Sequence, residues 1–327
     1  MTVLVTGSSG HLGEALVRTL RARRRETVGI DVRAGAFTDR VGTITDRAFV
    51  RRCMQGVDIV LHTAALHKPH LVTHSRQDFV DINVSGTLNL LEEAVAAGVP
   101  AFVYTSTTSV FGDALVPAPG EPPAWVTEEF PQLPKNIYGI TKIAAEDLCR
   151  LFTRNHSLRA IVLRTSRFFP EADDDRAIRG AYADANTKAN EFLYRRVDIE
   201  DVVSAHLLAA DQAASAGFAK YIISATTPFS RDDLVELRDH APRVVRRCVP
   251  EHQAEYARRD WTMIPSIDRV YVNDKARAEL GWEPRHDFRA LIARLAANDD
   301  LRSPLAREVG SKGYHGRAFG DRPYPVE

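Results

Sequence analysis

The chain has little of what would bind it together covalently or carry it into a membrane. Only three cysteines occur, Cys53, Cys149 and Cys248, far apart and in no CxxC spacing. A disulfide framework is therefore not expected, and a reducing cytoplasm fits. No apolar run approaches the length of a membrane span, and the opening MTVLVTG reads as a buried strand and not as a leader. There is no excess of either charge: Lys+Arg and Asp+Glu stand at 43 each among 327 residues. That leaves no electrostatic footprint for nucleic acid or an anionic membrane. The one basic run, residues 21–25, falls where the first helix should end, and positive charge suits a helix C-terminus. Repeats of solenoid period are absent.

What is present is alternation. Short apolar runs at 3–5, 27–30, 59–61, 101–104 and 160–163 are separated by helical patterns at 11–22, 46–55, 76–97 and 139–155. Strands that are apolar throughout are buried on both faces, and helical connectors make them parallel with right-handed crossovers. The expected fold class is α/β, a Rossmann-type doubly wound parallel sheet with a smaller C-terminal α/β part for substrate. Domains are expected at 1–165 (with contributions from 198–225), 166–297, and an extended tail at 298–327. Residues 113–135, rich in proline, read as a surface loop, and 170–197 as polar with little strand signal. Beyond them the pattern gives a helix at 199–213, a strand near 218–224, and helices near 230–240, 274–280 and 287–297.

The first strand runs directly into Thr6-Gly7-Ser8-Ser9-Gly10-His11-Leu12-Gly13. Strand, GxxGxxG and helix in that order make a pyrophosphate cradle. Gly7 permits the tight turn, Gly10 lets the backbone approach the anion, and Gly13 lets helix and strand pack closely. The second strand ends on Asp31, about 20 residues later, where a carboxylate accepts hydrogen bonds from the adenosine ribose and repels a 2′-phosphate. Asp31 thus favours NAD over NADP. The nearby Arg33 is the group that would argue for NADP.

Tyr138 and Lys142 lie four residues apart on one helix face. A nearby cation favours phenolate, so such a tyrosine can exchange a proton with a substrate hydroxyl while a cofactor takes hydride. Taken together, these motifs resemble the extended short-chain dehydrogenase/reductase family, in its NAD-dependent sugar epimerase/dehydratase branch, over about residues 1–297. TGSSGHLG is similar to that family's TGxxGxxG. Val57-Asp-Ile-Val-Leu-His-Thr63-Ala64-Ala65 is similar to its fourth strand and cofactor loop, Asn83-Val-Ser-Gly-Thr87 to its NxxGT segment, and Tyr104-Thr105-Ser106-Thr107-Thr-Ser-Val-Phe-Gly112 to its strand bearing the catalytic hydroxyl. The resemblance implies a catalytic set of Thr107, Tyr138 and Lys142, with Ser106 the neighbouring candidate for the substrate hydroxyl contact. It also implies an NAD site formed by Gly7, Ser9, Gly10, His11, Leu12, Gly13, Asp31, Arg33, Ile44, Thr63, Ala64, Ala65, His67, Asn83, Thr105, Tyr138, Lys142 and Arg167.

The residues beside Thr107 narrow the reaction. Family members that dehydrate sugars carry an Asp-Glu pair after that threonine, and decarboxylases a Glu; this chain has Thr108-Ser109. Epimerisation through a transient ketone is the leading expectation, with net NAD-dependent dehydrogenation or reduction the alternative. A non-catalytic NAD-binding regulator is a third class, disfavoured by the Tyr-Lys pair. Thr43 stands where the family often has Asp before the adenine contact. Arg167 stands where it usually has Asn, so either an anionic substrate or an ion pair with Glu171 or Asp173, Asp174 or Asp175 is expected. The stretch from Arg167 to Arg195 is short for the family, so a nucleotide sugar is not assumed. Arg195, Arg259 and Arg269 are further candidates for a substrate anion. His62, His67, His70 and His74 cluster in sequence, but ligand type and spacing are poor, and no metal is expected. Trp125 reads as a surface anchor near the site mouth. Helices 76–97 and 139–155 resemble the family's dimer interface, so a homodimer is expected, with a small molecule as the other partner and no nucleic acid or membrane.

Overall fold

The computed structural model describes residues 1–313. Nine strands form in chain order: β1 (Val3–Thr6), β2 (Thr27–Asp31), β3 (Arg40–Val41), β4 (Ile59–His62), β5 (Ala101–Thr107), β6 (Ala124–Val126), β7 (Arg159–Thr165), β8 (Ala219–Ile223) and β9 (Arg269–Tyr271). Seven make one sheet of order β3-β2-β1-β4-β5-β7-β8, and every pairing in it is parallel. The chain builds outward from β1 to β3, then returns to add β4 on β1's other side. The strand order reverses between β1 and β4, which is where a doubly wound sheet opens a crevice for a ligand.

Alternate residues of these strands point to opposite faces. Val3, Val5, Leu61 and Val103 pack against helices His11–Ala22 and Ile199–Ala216. Leu4, Val60, Phe102 and Val162 face the other way, against helices Gly86–Ala96 and Ile137–Asn155. Fully burying each such side chain contributes about 1.5–3 kcal/mol, so both helical layers are held to the sheet. A second core, around Phe192, Leu237, Val244, Tyr256 and Phe288, lies in the C-terminal part.

Two expectations are corrected, and the helix expected at 76–97 forms with a π-helical stretch inside it. The proline-rich stretch contains β6, which pairs in parallel with β9 and ties that stretch to the C-terminal part. The helical pattern at 76–97 forms as Arg76–Phe79, a π-helical stretch Val80–Ser85, and Gly86–Ala96. The tail is not extended from 298: helix Pro304–Val309 forms, because Leu305, Ala306 and Val309 share a face that packs on the core of the first helix. The remainder of that expected tail, 314–327, lies outside the described residues. Among the described residues, no helix is long and apolar enough to cross a membrane.

Candidate active site

A cavity of about 550 Å³ opens at the C-terminal ends of β1, β4 and β5. Gly7 forms its base in a left-handed conformation (φ +73°), where a Cβ would stand 2.8 Å from Ala64 N. At Gly13 a Cβ would lie only 1.9 Å from Gly7 O. Strand, turn and helix therefore meet at a closeness only glycine allows, and the helix N-terminus faces the cavity. Asp31 closes the far end. Its carboxylate accepts from Ser9 N (3.0 Å) and Arg33 N (2.9 Å), which fixes its orientation and leaves lone pairs for a diol.

The wall after β4 is held by His62. Thr87 Oγ1 donates to Asn83 O (2.7 Å), so it accepts from His62 Nε2 (2.9 Å). His62 Nδ1 must then accept from Thr6 Oγ1 (2.8 Å). Burial holds this ring well below the ordinary histidine range, so it stays neutral and clips β4 to β1. Thr6 Oγ1 in turn accepts from Thr63 N and Ala64 N, both at 3.1 Å.

Thr107, Tyr138 and Lys142 line one side of the cavity together. Helix Ile137–Asn155 presents the last two, capped by Asn136 Oδ1, which accepts from Gly139 N. Burial pushes the Tyr138 phenol up to about 12, against a hydrogen bond with Thr107 that lowers it. Burial also lowers Lys142 to about 7. Its ammonium donates to Thr105 O (2.6 Å) and lies 4.1 Å from the Tyr104 ring centroid. Thr105 Oγ1 meets His206 Nε2 at 2.7 Å, while His206 Nδ1 donates to Val202 O.

Of the residues singled out from sequence, Gly7, Gly10, His11, Leu12, Gly13, Asp31, Arg33, Ile44, Thr63, Ala64, Ala65, His67, Thr105, Ser106, Thr107, Tyr138, Lys142 and Arg167 all line this cavity. Others do not act as expected. Ser9 is not in the lining; its hydroxyl bonds Arg33 O and Thr38 Oγ1. Asn83 is buried behind the wall, where Oδ1 accepts from Leu66 N and Nδ2 donates to Leu66 O and Thr141 Oγ1. It braces the wall and is not part of the cavity lining. Ser106 contributes to the lining, but its hydroxyl is turned away to Glu146 (2.6 Å). Glu146 is fully buried and paired with Arg164 (2.7 Å) and Lys220 (2.9 Å), so one carboxylate joins helix Ile137–Asn155 to β5, β7 and β8.

The arginines are likewise answered by acids. Arg167 pairs with Asp173 (3.0 Å), and Arg195 with Asp173 (3.0 Å) and Glu191 (2.8 Å). Arg259 pairs with Glu255, and Arg269 with Asp268. Arg195, Arg259 and Arg269 lie outside the cavity lining. Residues 168–195 leave and return at one point, where Arg167 N donates to Arg195 O (3.1 Å) and Val197 N to Arg167 O (3.0 Å). His67 and His70 stack at 4.6 Å, with His67 N donating to His70 Nδ1. Among the described residues no cluster of His, Cys, Asp or Glu could hold a metal.

Lining groups that sequence reasoning missed include Lys68, which bridges the cavity to Asp174 (2.7 Å), and Glu171, 2.9 Å from His11 Nε2. Glu146, four residues after Lys142, had a signal in the helical spacing; Glu171 was expected only as an ion-pair partner of Arg167, and Lys68 had no signal.

The profile of the NAD dependent epimerase/dehydratase family matches residues 3–223. A UDP-glucose 4-epimerase of Rhizobium meliloti is 29% identical over 335 aligned residues, covering 88% of this chain and 94% of that protein. The uncharacterized protein y4nG of Sinorhizobium fredii is 34% identical over 168 residues, but the match spans only 40% of its length. Among solved structures, a short-chain dehydrogenase/reductase superfamily protein from Agrobacterium tumefaciens with bound NAD is 26% identical, with a TM-score of 0.64 over 94% of this chain and 99% of that one.

Proposed function

The chain belongs to the NAD-dependent epimerase/dehydratase family and its cofactor is NAD; on that premise we propose that it epimerises a carbohydrate-like alcohol through a transient ketone. The observation that carries this reading is the placing of Thr107, Tyr138 and Lys142 on one wall of the cavity that the glycine cradle and Asp31 form. NAD, when bound there, supplies the hydride acceptor and donor. Thr107 hydrogen-bonds the substrate oxygen. Tyr138, a phenol at neutral pH, donates a proton to a ketone oxygen. For the reverse transfer it needs positive charge nearby, which Lys142 supplies. The acids in the lining are Asp31 at the ribose end, Glu171 on His11, and Asp174 on Lys68. With Thr108 and Ser109 following Thr107, no carboxylate among the described residues is set beside it to expel a hydroxyl.

Relatives support a sugar substrate: one is named as acting on UDP-glucose. Net dehydrogenation uses the same three groups, and only it accumulates free NADH. Ile140 and Leu151, exposed on one face of helix Ile137–Asn155, support a homodimer, which sedimentation velocity reads directly. The test of mechanism is Tyr138→Phe. Its turnover should fall by about 10²–10⁴-fold while NAD stays bound; full turnover on an identified substrate would overturn the assignment.

A further inference from the structure

We infer that Lys312 and Gly313, at the far end of the chain, are part of the NAD site, and that this segment straps the pyrophosphate into its cradle. Both residues line the cavity. Helix Pro304–Val309 packs on the first helix and on helix Ile199–Ala216, and the turn at Gly310 (φ +60°) sends the chain back across the cradle.

Among the described residues, the strap is fastened at the phosphate end of the cavity. Glu171 Oε1 accepts from Ser311 Oγ (2.7 Å) and Gly313 N (3.3 Å). The same oxygen lies 2.9 Å from His11 Nε2, and Lys312 N lies 3.0 Å from that nitrogen. A single ring nitrogen serves one of these at a time: protonated, it donates to the carboxylate; bare, it accepts from the backbone. Burial opposes ionisation of Glu171, yet these hydrogen bonds hold it at about 2. His11 directly follows Gly10 and begins the helix whose N–H groups face the anion.

The charge on that helix explains the need for Lys312. Glu14 sits in the first helical turn. An acid there suits a helix dipole but opposes a phosphate bound at the same end. Arg18 donates to Glu14 Oε1 at 2.8 Å, and the Lys312 ammonium lies 2.5 Å from Oε2. Two cations on one carboxylate turn a neutral pair into a net positive end. Arg18 thus offsets the charge that Glu14 would set against the pyrophosphate, and Lys312 adds the net positive charge that favours it.

The strap deepens the epimerase reading and takes its purpose from it. A transient ketone returns to alcohol only if the reduced cofactor stays in place, so slow release of the dinucleotide serves that reaction and not one that exchanges NADH each cycle.

The experiment measures the release rate of NAD from loaded protein. Truncation after Gly313 sets the baseline, and truncation after Gly310 removes the strap but keeps helix Pro304–Val309. Release from the shorter form should be at least about tenfold faster. Lys312→Ala in the full chain should speed release about threefold, and adding Glu14→Gln should restore it, because the net positive charge of the first turn returns. Equal release from the two truncations, or no recovery in the double variant, would overturn the strap. A full-length protein that binds no NAD would instead overturn the cofactor reading itself.

Discussion

Replacing Lys142 with Met should stabilise the cofactor-free protein while destroying its activity. In the folded chain Lys142 titrates at about 7 because it is buried; its ordinary value is 10.5. At 1.36 kcal/mol per unit, that gap sets a penalty of about 4–5 kcal/mol for keeping the group charged in the fold. The sign follows from proton counting. Below pH 7 both states hold the proton and the full penalty is present. As pH rises from about 7 towards 10.5 the unfolded chain holds more protons than the folded one, so stability rises. Methionine removes the penalty but leaves the Thr105 carbonyl without its donor, which costs about 1–3 kcal/mol. A net gain of about 2 kcal/mol at pH 7 is expected. Urea unfolding of both proteins at pH 7 and pH 9 tests it. The advantage of the variant should shrink by about 2 kcal/mol between the two, as wild-type Lys142 sheds its proton. A difference that stays constant with pH would refute the reasoning, whatever its size.

Two further outcomes follow from the site. Asp31→Asn should weaken NAD binding by about tenfold and narrow the gap to NADP, since the acid both receives the ribose and repels a 2′-phosphate; titration with each dinucleotide reads it, and an unchanged preference would count against Asp31. Asn83→Ala should cost about 1–3 kcal/mol of stability, from the buried partners left unmatched, and should lower kcat more than it weakens NAD binding. A selective loss of NAD affinity would return Asn83 to the cofactor contacts.

Residues close in sequence or set by a regular period were legible without coordinates. Gly7, Gly10 and Gly13 announce the cradle because strand, turn and helix are consecutive, and Tyr138 and Lys142 announce their shared face because four residues make about one helical turn. What was not legible is which partner each side chain takes. Arg195, Arg259 and Arg269 are strong anion ligands in sequence, but each is engaged by a neighbouring acid, Glu191, Glu255 and Asp268, and Arg195 also by the more distant Asp173. Asn83 was read as a ligand contact from its motif, while the π-helical stretch around it carries it behind the wall to Leu66 and Thr141. Ser106 and Thr107 alternate along β5, so one hydroxyl faces the cavity and the next is spent on Glu146. The strap, some three hundred residues from the cradle it closes, left no local trace at all.

The pinch between Arg167 and residues 195–197 gives the C-terminal part a particular tolerance of length. Because residues 168–195 begin and end at the same point, their number can change without moving β7 or helix Ile199–Ala216. For a flexible insertion between these two points, doubling its length adds only about 0.6 kcal/mol of closure entropy. Residues inserted there, away from Ala189, Phe192 and Leu193 in the C-terminal core, would change what the excursion can enclose while leaving the parallel sheet in place.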